Sequence, residues 1–151
     1  MKKRIITIIT ISLILVVALS GVAFADSKML NDDLNTRASN YLNSYIVGIT
    51  AQGDNKLKVS FTVLGKRTMD EIGVLEIEIE RNSGNGWEYD RTLDHEDYSN
   101  FIKYDSTSNK SSTTFTGIRG DKYRATITAY AADVNGSDSK YATTQNPATC
   151  Y

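Results

Sequence analysis

Residues 123–131 read YRATITAYA, and their alternation decides the fold. Apolar or small side chains fall at Tyr123, Ala125, Ile127, Ala129 and Ala131, with Arg124, Thr126 and Thr128 between them. A period of two belongs to a strand with one buried and one solvated face. A short turn, Arg119-Gly120-Asp121-Lys122, leads into it, and Asn135-Gly136, a dipeptide suited to a type I′ hairpin, follows it. A central strand entered through a tyrosine and left through a hairpin points to a small β-sandwich.

The same period recurs on both sides. Residues 57–63 (LKVSFTV) alternate Leu57, Val59, Phe61 and Val63 with polar partners. Residues 74–81 (VLEIEIER) place Leu75, Ile77 and Ile79 on one face and Glu76, Glu78 and Glu80 on the other. A strand at 45–49, a turn at 52–55, a polar loop at 65–71, a hairpin loop at 82–86 and a return strand from Trp87 to Arg91 complete the first half. From 92 to 112 the pattern weakens, with a short edge strand at Phe101-Ile102. Regular strands resume at 113–118 and end at about 139–144. About seven short strands parted by turn signals mean an antiparallel, all-β sandwich or barrel.

The start of the chain is of another kind. Met1-Lys2-Lys3-Arg4 is a basic cap, residues 5–22 are almost wholly apolar, and Ala23-Phe24-Ala25 supplies the small residues of a cleavage site. This is the pattern of a secretory signal peptide helix over 1–25, so the chain touches a membrane only through that leader, before cleavage. Asp26, not a cysteine, stands directly after the site, which excludes a lipoprotein anchor. Three of the 17 Lys and Arg residues lie in the leader, so the exported part carries 14 basic against 18 acidic side chains, a net charge of −4. A mildly acidic chain without a concentrated basic face gives no support to nucleic-acid binding. Residues 26–44 form a polar lead-in, read either as a short amphipathic helix (Leu30, Leu34, Ala38, Leu42) or as a flexible segment. The sandwich spans 45–144, and 145–151 is a C-terminal tail. Cys150, the one cysteine, has no partner within the chain. Near the C-terminus it is expected to be exposed and able to link two chains into a homodimer.

Within this frame the run 57–142 resembles a fibronectin type III domain, one of the immunoglobulin-like sandwiches. LEIEIERNSGNGW (75–87) is similar to that family's strand C, hairpin and tryptophan-led C′ strand. FTGIRGDKYRATITAYAADVNGSDSKYA (115–142) is similar to its strands E, F and G with their connections. Phe61 stands where the family has a tryptophan, and the turn before Tyr123 lacks the family's proline. The resemblance implies that strands C and F are antiparallel neighbours, with Glu76, Glu78 and Glu80 beside Lys122, Arg124, Thr126 and Thr128. It implies also that Tyr123 is a tyrosine corner whose hydroxyl bonds backbone near Ile118.

His95, the one histidine, lies in the acidic stretch Asp94-His95-Glu96-Asp97, with no nucleophile turn to serve. The glutamate row lacks a cleft, as a glycosidase pair would need. Asp90, Asp94, Glu96, Asp97 and Asp105 offer oxygen ligands of the class calcium takes, without EF-hand spacing, and read as an acidic loop. Arg119-Gly120-Asp121 spells an integrin-recognition tripeptide but reads as turn chemistry. The aromatics Trp87, Tyr89, Tyr98 and Tyr104 are the candidate binding surface, because exposed rings stack on sugars and anchor protein interfaces. No catalytic residue, metal or cofactor is implied. The reading is a non-catalytic exported module that binds a protein or glycan at the cell surface or in the medium. A small secreted enzyme or enzyme inhibitor, and a structural envelope component, are the alternatives. Cleavage after Ala25 is expected to yield a product starting at Asp26. N-terminal sequencing of the exported protein checks this, and an intact leader in the membrane fraction would refute it.

Overall fold

The structure, a computed structural model, describes residues 39–151. The expected signal peptide and most of the expected lead-in lie outside the described residues. Seven antiparallel strands form one sheet: β1 (Leu42–Gly53), β2 (Lys56–Asn82), β3 (Glu88–Asp94), β4 (Ile102–Thr116), β5 (Lys122–Asp133), β6 (Gly136–Thr143) and β7 (Ala148–Thr149). No helix occurs among the described residues.

The sheet is organised on β2, 27 residues long. Its first half pairs with β1 on one edge and β4 on the other. Its second half pairs with β5 on one edge, and with the start of β4 and then β3 on the other. Beyond β5 lie β6 and β7. Two wings result, β1-β2-β4 and β3-β2-β5-β6. The sheet curls, so that β1 lies against β5 and β6 without being hydrogen-bonded to either. The expected neighbours, the glutamate-bearing half of β2 and β5, do pair antiparallel.

Between the wings sits the core. One wing contributes Val47, Ile49, Leu57, Val59, Phe61, Val63 and Phe115; the other contributes Ile72, Val74, Ile77, Ile79, Tyr123, Ile127 and the small Ala125, Ala129 and Ala131. Each large apolar side chain taken fully out of water contributes about 1.5–3 kcal/mol.

The polar loop expected at 65–71 is instead part of β2. Residues 65–68 leave only the β4 ladder, where Leu64 lies opposite Ser108 and Met69 already lies opposite Ser106, while Gly65 still lies opposite Leu42 of β1. Met69 and Ile72, fully buried, hold the strand to the core across this excursion. The excursion is itself tied down. Lys66 N–H donates to Tyr41 O at 2.9 Å, and Arg67 Nε donates to Asp133 Oδ2 at 2.8 Å with its guanidinium over the Tyr41 ring. Leu75 is also displaced from its expected inner position. A β-bulge between Val74 and Ile77 puts two β2 residues, Leu75 and Glu76, against one on β5. The inward set is therefore Ile72, Val74, Ile77 and Ile79.

The β1–β2 and β5–β6 hairpins have two-residue loops, but the type I′ turn is not where it was expected. Asp54 and Asn55 carry it, with φ of 50° and 59°, values that short polar side chains tolerate. The β5–β6 loop is Val134-Asn135, neither residue with positive φ. It is closed by Asn135 N–H donating to Asp133 Oδ1 at 2.8 Å.

Tyr123 is fully buried, and its hydroxyl accepts from Ile118 N–H at 2.8 Å. Gly117 makes room for the ring: a Cβ there would lie 2.6 Å from Leu57 Cδ1 and 2.9 Å from Tyr123 Cε2. Burial pushes the hydroxyl pKa up, with the Ile118 hydrogen bond working against it. Cys150 is the clearest correction. It is 1% exposed, because the chain end is stitched under the sheet rather than left loose. Gly120 N–H donates to Cys150 O and Cys150 N–H to Asp121 O, both at 2.9 Å, while β7 pairs with β5. A link from Cys150 to a second chain requires this strap to lift.

Tyr123→Phe leaves the Ile118 N–H without its partner and is expected to cost about 1–3 kcal/mol. Tyr123→Ala also opens a cavity and is expected to cost about 3–5 kcal/mol. Tyr130→Phe, on the opposite face of β5, should change little. Equilibrium denaturation separates the three; equal small effects at Tyr123 and Tyr130 would contradict the packing.

Candidate functional site

Residues directly opposite one another in a sheet share a face, so the strand register sorts the aromatics. On the outer face of the β3-β2-β5-β6 wing, Tyr89, Glu80 and Arg124 form one row. The next holds Thr92, Glu78, Thr126 and Thr143, and the one after it Glu76, Thr128 and Tyr141. Tyr130 follows opposite Gly73, and Tyr104 lies opposite Glu71. Tyr89, Tyr104 and Tyr141 are 65%, 65% and 72% exposed. The face is thus open, aromatic and acidic.

Of the four expected aromatics, Tyr89 and Tyr104 belong to this face at opposite ends. Nine positions of β2 separate their partners, roughly 30 Å at strand rise. Trp87, half-buried just before β3, lies beside them with the Arg124 guanidinium 4.5 Å from its ring centre. Tyr98 is not on the face. Its ring stacks on Phe101 at 4.9 Å, and Phe101 in turn meets Phe61 edge-on at 5.5 Å. Sequence reasoning missed Tyr130 and Tyr141, which become neighbours of the acidic row only through the β2–β5 and β5–β6 pairings.

Arg124 organises the electrostatics. It makes two bonds to Glu80, Nε to Oε2 at 2.6 Å and Nη2 to Oε1 at 2.8 Å. That hydrogen bonding holds the Glu80 carboxyl below its ordinary pKa, against desolvation, and raises that of Arg124. Thr128 Oγ1 donates to Glu76 Oε1 at 3.1 Å, and Glu78 stays exposed.

The other candidates are engaged locally. His95 Nδ1 is 3.0 Å from Leu75 O and 3.1 Å from Asp94 Oδ1. Asp90 pairs with Arg91. Among the described residues, no three acidic, histidine or cysteine side chains gather to hold a metal ion. Gly120, with φ of 92°, and Asp121 are bonded into the Cys150 strap, so the Arg119-Gly120-Asp121 turn is part of the scaffold.

No family model and no curated protein matches the chain. Among solved structures, a family 76 glycoside hydrolase from a bovine Bacteroides thetaiotaomicron strain is similar at 15% identity and a TM-score of 0.38. The match covers 75% of this chain and 21% of the hydrolase chain. A likeness of that size bears on neither fold nor activity.

Because the folded-state pKa of Glu80 is lowered, the stability its pair contributes is present at neutral pH and is lost as pH falls through that lowered value. Glu80→Gln is expected to cost about 0.5–1 kcal/mol at neutral pH, the scale of a partly exposed ion pair. Near pH 3, below the usual carboxylate range, the difference from the parent should shrink. Urea denaturation at both pH values checks it.

Proposed function

We propose that the chain is an exported, non-catalytic binding module, an immunoglobulin-like sandwich of the fibronectin type III kind. On this reading it contacts its ligand through the outer face of the β3-β2-β5-β6 wing. The observation that carries the function is the placing of Tyr89, Tyr104, Tyr130 and Tyr141 on one open sheet face, three of them more than half exposed. Rings with one apolar body and one polar tip gain by covering, and in free solution they remain wetted. The sandwich reading is supported by the strand orders of the two wings, β1-β2-β4 and β3-β2-β5-β6, and by the Tyr123–Ile118 bond. Export rests on the leader sequence.

The test uses the labelled exported protein and intact cells of its source. Tyr89→Ala combined with Tyr141→Ala is expected to lower saturable cell binding at least about tenfold, the loss of roughly 1.4 kcal/mol. Tyr151→Ala, exposed elsewhere, should not. Protease treatment of the cells removes a protein ligand and spares a glycan. Unchanged binding by the double variant would overturn the face assignment.

A further inference from the structure

The outer face of the other wing has a chemistry of its own. Its three strands are SYIVGITAQ at 44–52, KLKVSFTVL at 56–64 and SNKSSTTFT at 108–116. None contains a carboxylate, although the chain as a whole is acidic. The register lays their outward residues in rows: Ile46-Thr62-Lys110, then Gly48-Ser60-Ser112, then Thr50-Lys58-Thr114, then Lys56 opposite Thr116. The second row has only small side chains and lies low between two taller ones. That is the physical origin of a groove of about 470 Å³ running across the strands. Lys110 stands on one wall and Lys58 on the other, and neither is in an ion pair among the described residues.

Gly48 makes the groove a site to be explained. It lies inside a strand, where glycine costs conformational entropy and packs nothing. Its φ is not positive, and a Cβ built on it meets nothing within 4 Å, so neither the backbone nor a neighbour requires glycine there. With no bulge at Gly48 in its pairing with Ser60, the remaining use of a strand glycine is to let a ligand or another backbone approach closely.

We propose that this groove binds an acidic glycan, one bearing carboxylates a few sugars apart, at a site separate from the tyrosine face. The two lysines, with Cα atoms roughly 14 Å apart by strand rise and spacing, take the carboxylates on flexible stems. The floor hydroxyls of Ser60 and Ser112, with Thr62 on the wall, both donate and accept and so suit sugar hydroxyls. Ile46, 67% exposed, covers the apolar edge of a sugar ring. The groove has no exposed aromatic ring to stack a base, which separates it from single-strand nucleic-acid grooves. It has no arginine fork or free helix end either, and those are what a compact phosphate is met by.

The probe is a galacturonate oligosaccharide, titrated into the exported protein at low and at physiological salt. Binding is expected, weakening with salt as exposed charge contacts do. Lys58→Gln with Lys110→Gln should weaken it at least tenfold, while Lys103→Gln with Lys122→Gln should not. Gly48→Leu is the decisive variant. It fills open space and should leave the melting temperature equal or higher while abolishing binding. A neutral glucan of the same length should not bind. The proposal falls if the oligosaccharide does not bind at low salt, or if Gly48→Leu folds and binds as the parent does. It falls also if polyphosphate binds equally well and Ile46→Ser has no effect on either ligand, or if the lysine pair alters only self-association in sedimentation. None of these outcomes touches the tyrosine face, whose variants are tested separately.

Discussion

Strand β2 exchanges β1 for β5 on one edge between residues 65 and 71 and β4 for β3 on the other between residues 73 and 76, and the fold depends on how the backbone groups freed there are satisfied. The answer lies at Asn109, a side chain 4% exposed among apolar neighbours. Its amide donates to Phe101 O at 2.8 Å and reaches Asn100 O and Ile72 O at 3.3 and 3.4 Å. Phe101 O also accepts from Val74 N–H at 2.9 Å. One side chain thereby ties the turn before β4 to the crossing strand. The approach is so close that a Cβ on Gly73, at φ 156°, would lie 1.8 Å from Phe101 O. Buried carbonyls without donors cost about 1–3 kcal/mol each, so the crossing would otherwise unravel where the core needs it continuous.

That arrangement also explains which parts of the fold were legible in the sequence. β5 was, because its inward residues are Tyr, Ala and Ile and its outward ones are Arg and Thr. β4 was not. Its inward residues include Asn109, Ser111 and Thr113, opposite Val63, Phe61 and Val59, so a buried strand reads as polar. The loop expected at 65–71 failed for a related cause. Residues 65–68 do leave the β4 ladder, but Met69 and Ile72 return the strand to the core. The displacement of Leu75 needed knowledge of a bulge, which adds one residue without changing composition. Cys150 lies past the last strong strand yet is buried, because β7 folds the chain end back onto β5 and distance along the chain is not distance from the core.

The candidate surface was half legible for the same reason. Residue type marks an aromatic as a candidate, but only register says which aromatics share a face. Tyr89 and Tyr141 are far apart in sequence and lie on one face of one wing because β3, β2, β5 and β6 bring them there. Tyr98 looks like its neighbours in composition, yet it spends its ring on Phe101. Trp87 spends part of its own on Arg124, leaving the tyrosines as the more open rings.

What remains is a division of charge that the fold does not need. The inner faces of both wings, apolar except along β4, meet the requirements of packing; the outer faces are free of them. Yet one outer face gathers Glu71, Glu76, Glu78 and Glu80 with a single arginine paired to them, and the other gathers Lys56, Lys58 and Lys110 with no carboxylate in the segments 44–52, 56–64 and 108–116 that form it. Alternate positions on one strand are close enough for like charges to repel, so each gathering costs stability where a mixture of signs would contribute to it. Glycine at 48 runs the same way, since a β-branched residue would suit the strand better. Three features that each weaken the sheet, on faces that pack against nothing among the described residues, are explained together if those faces are completed by a bound ligand.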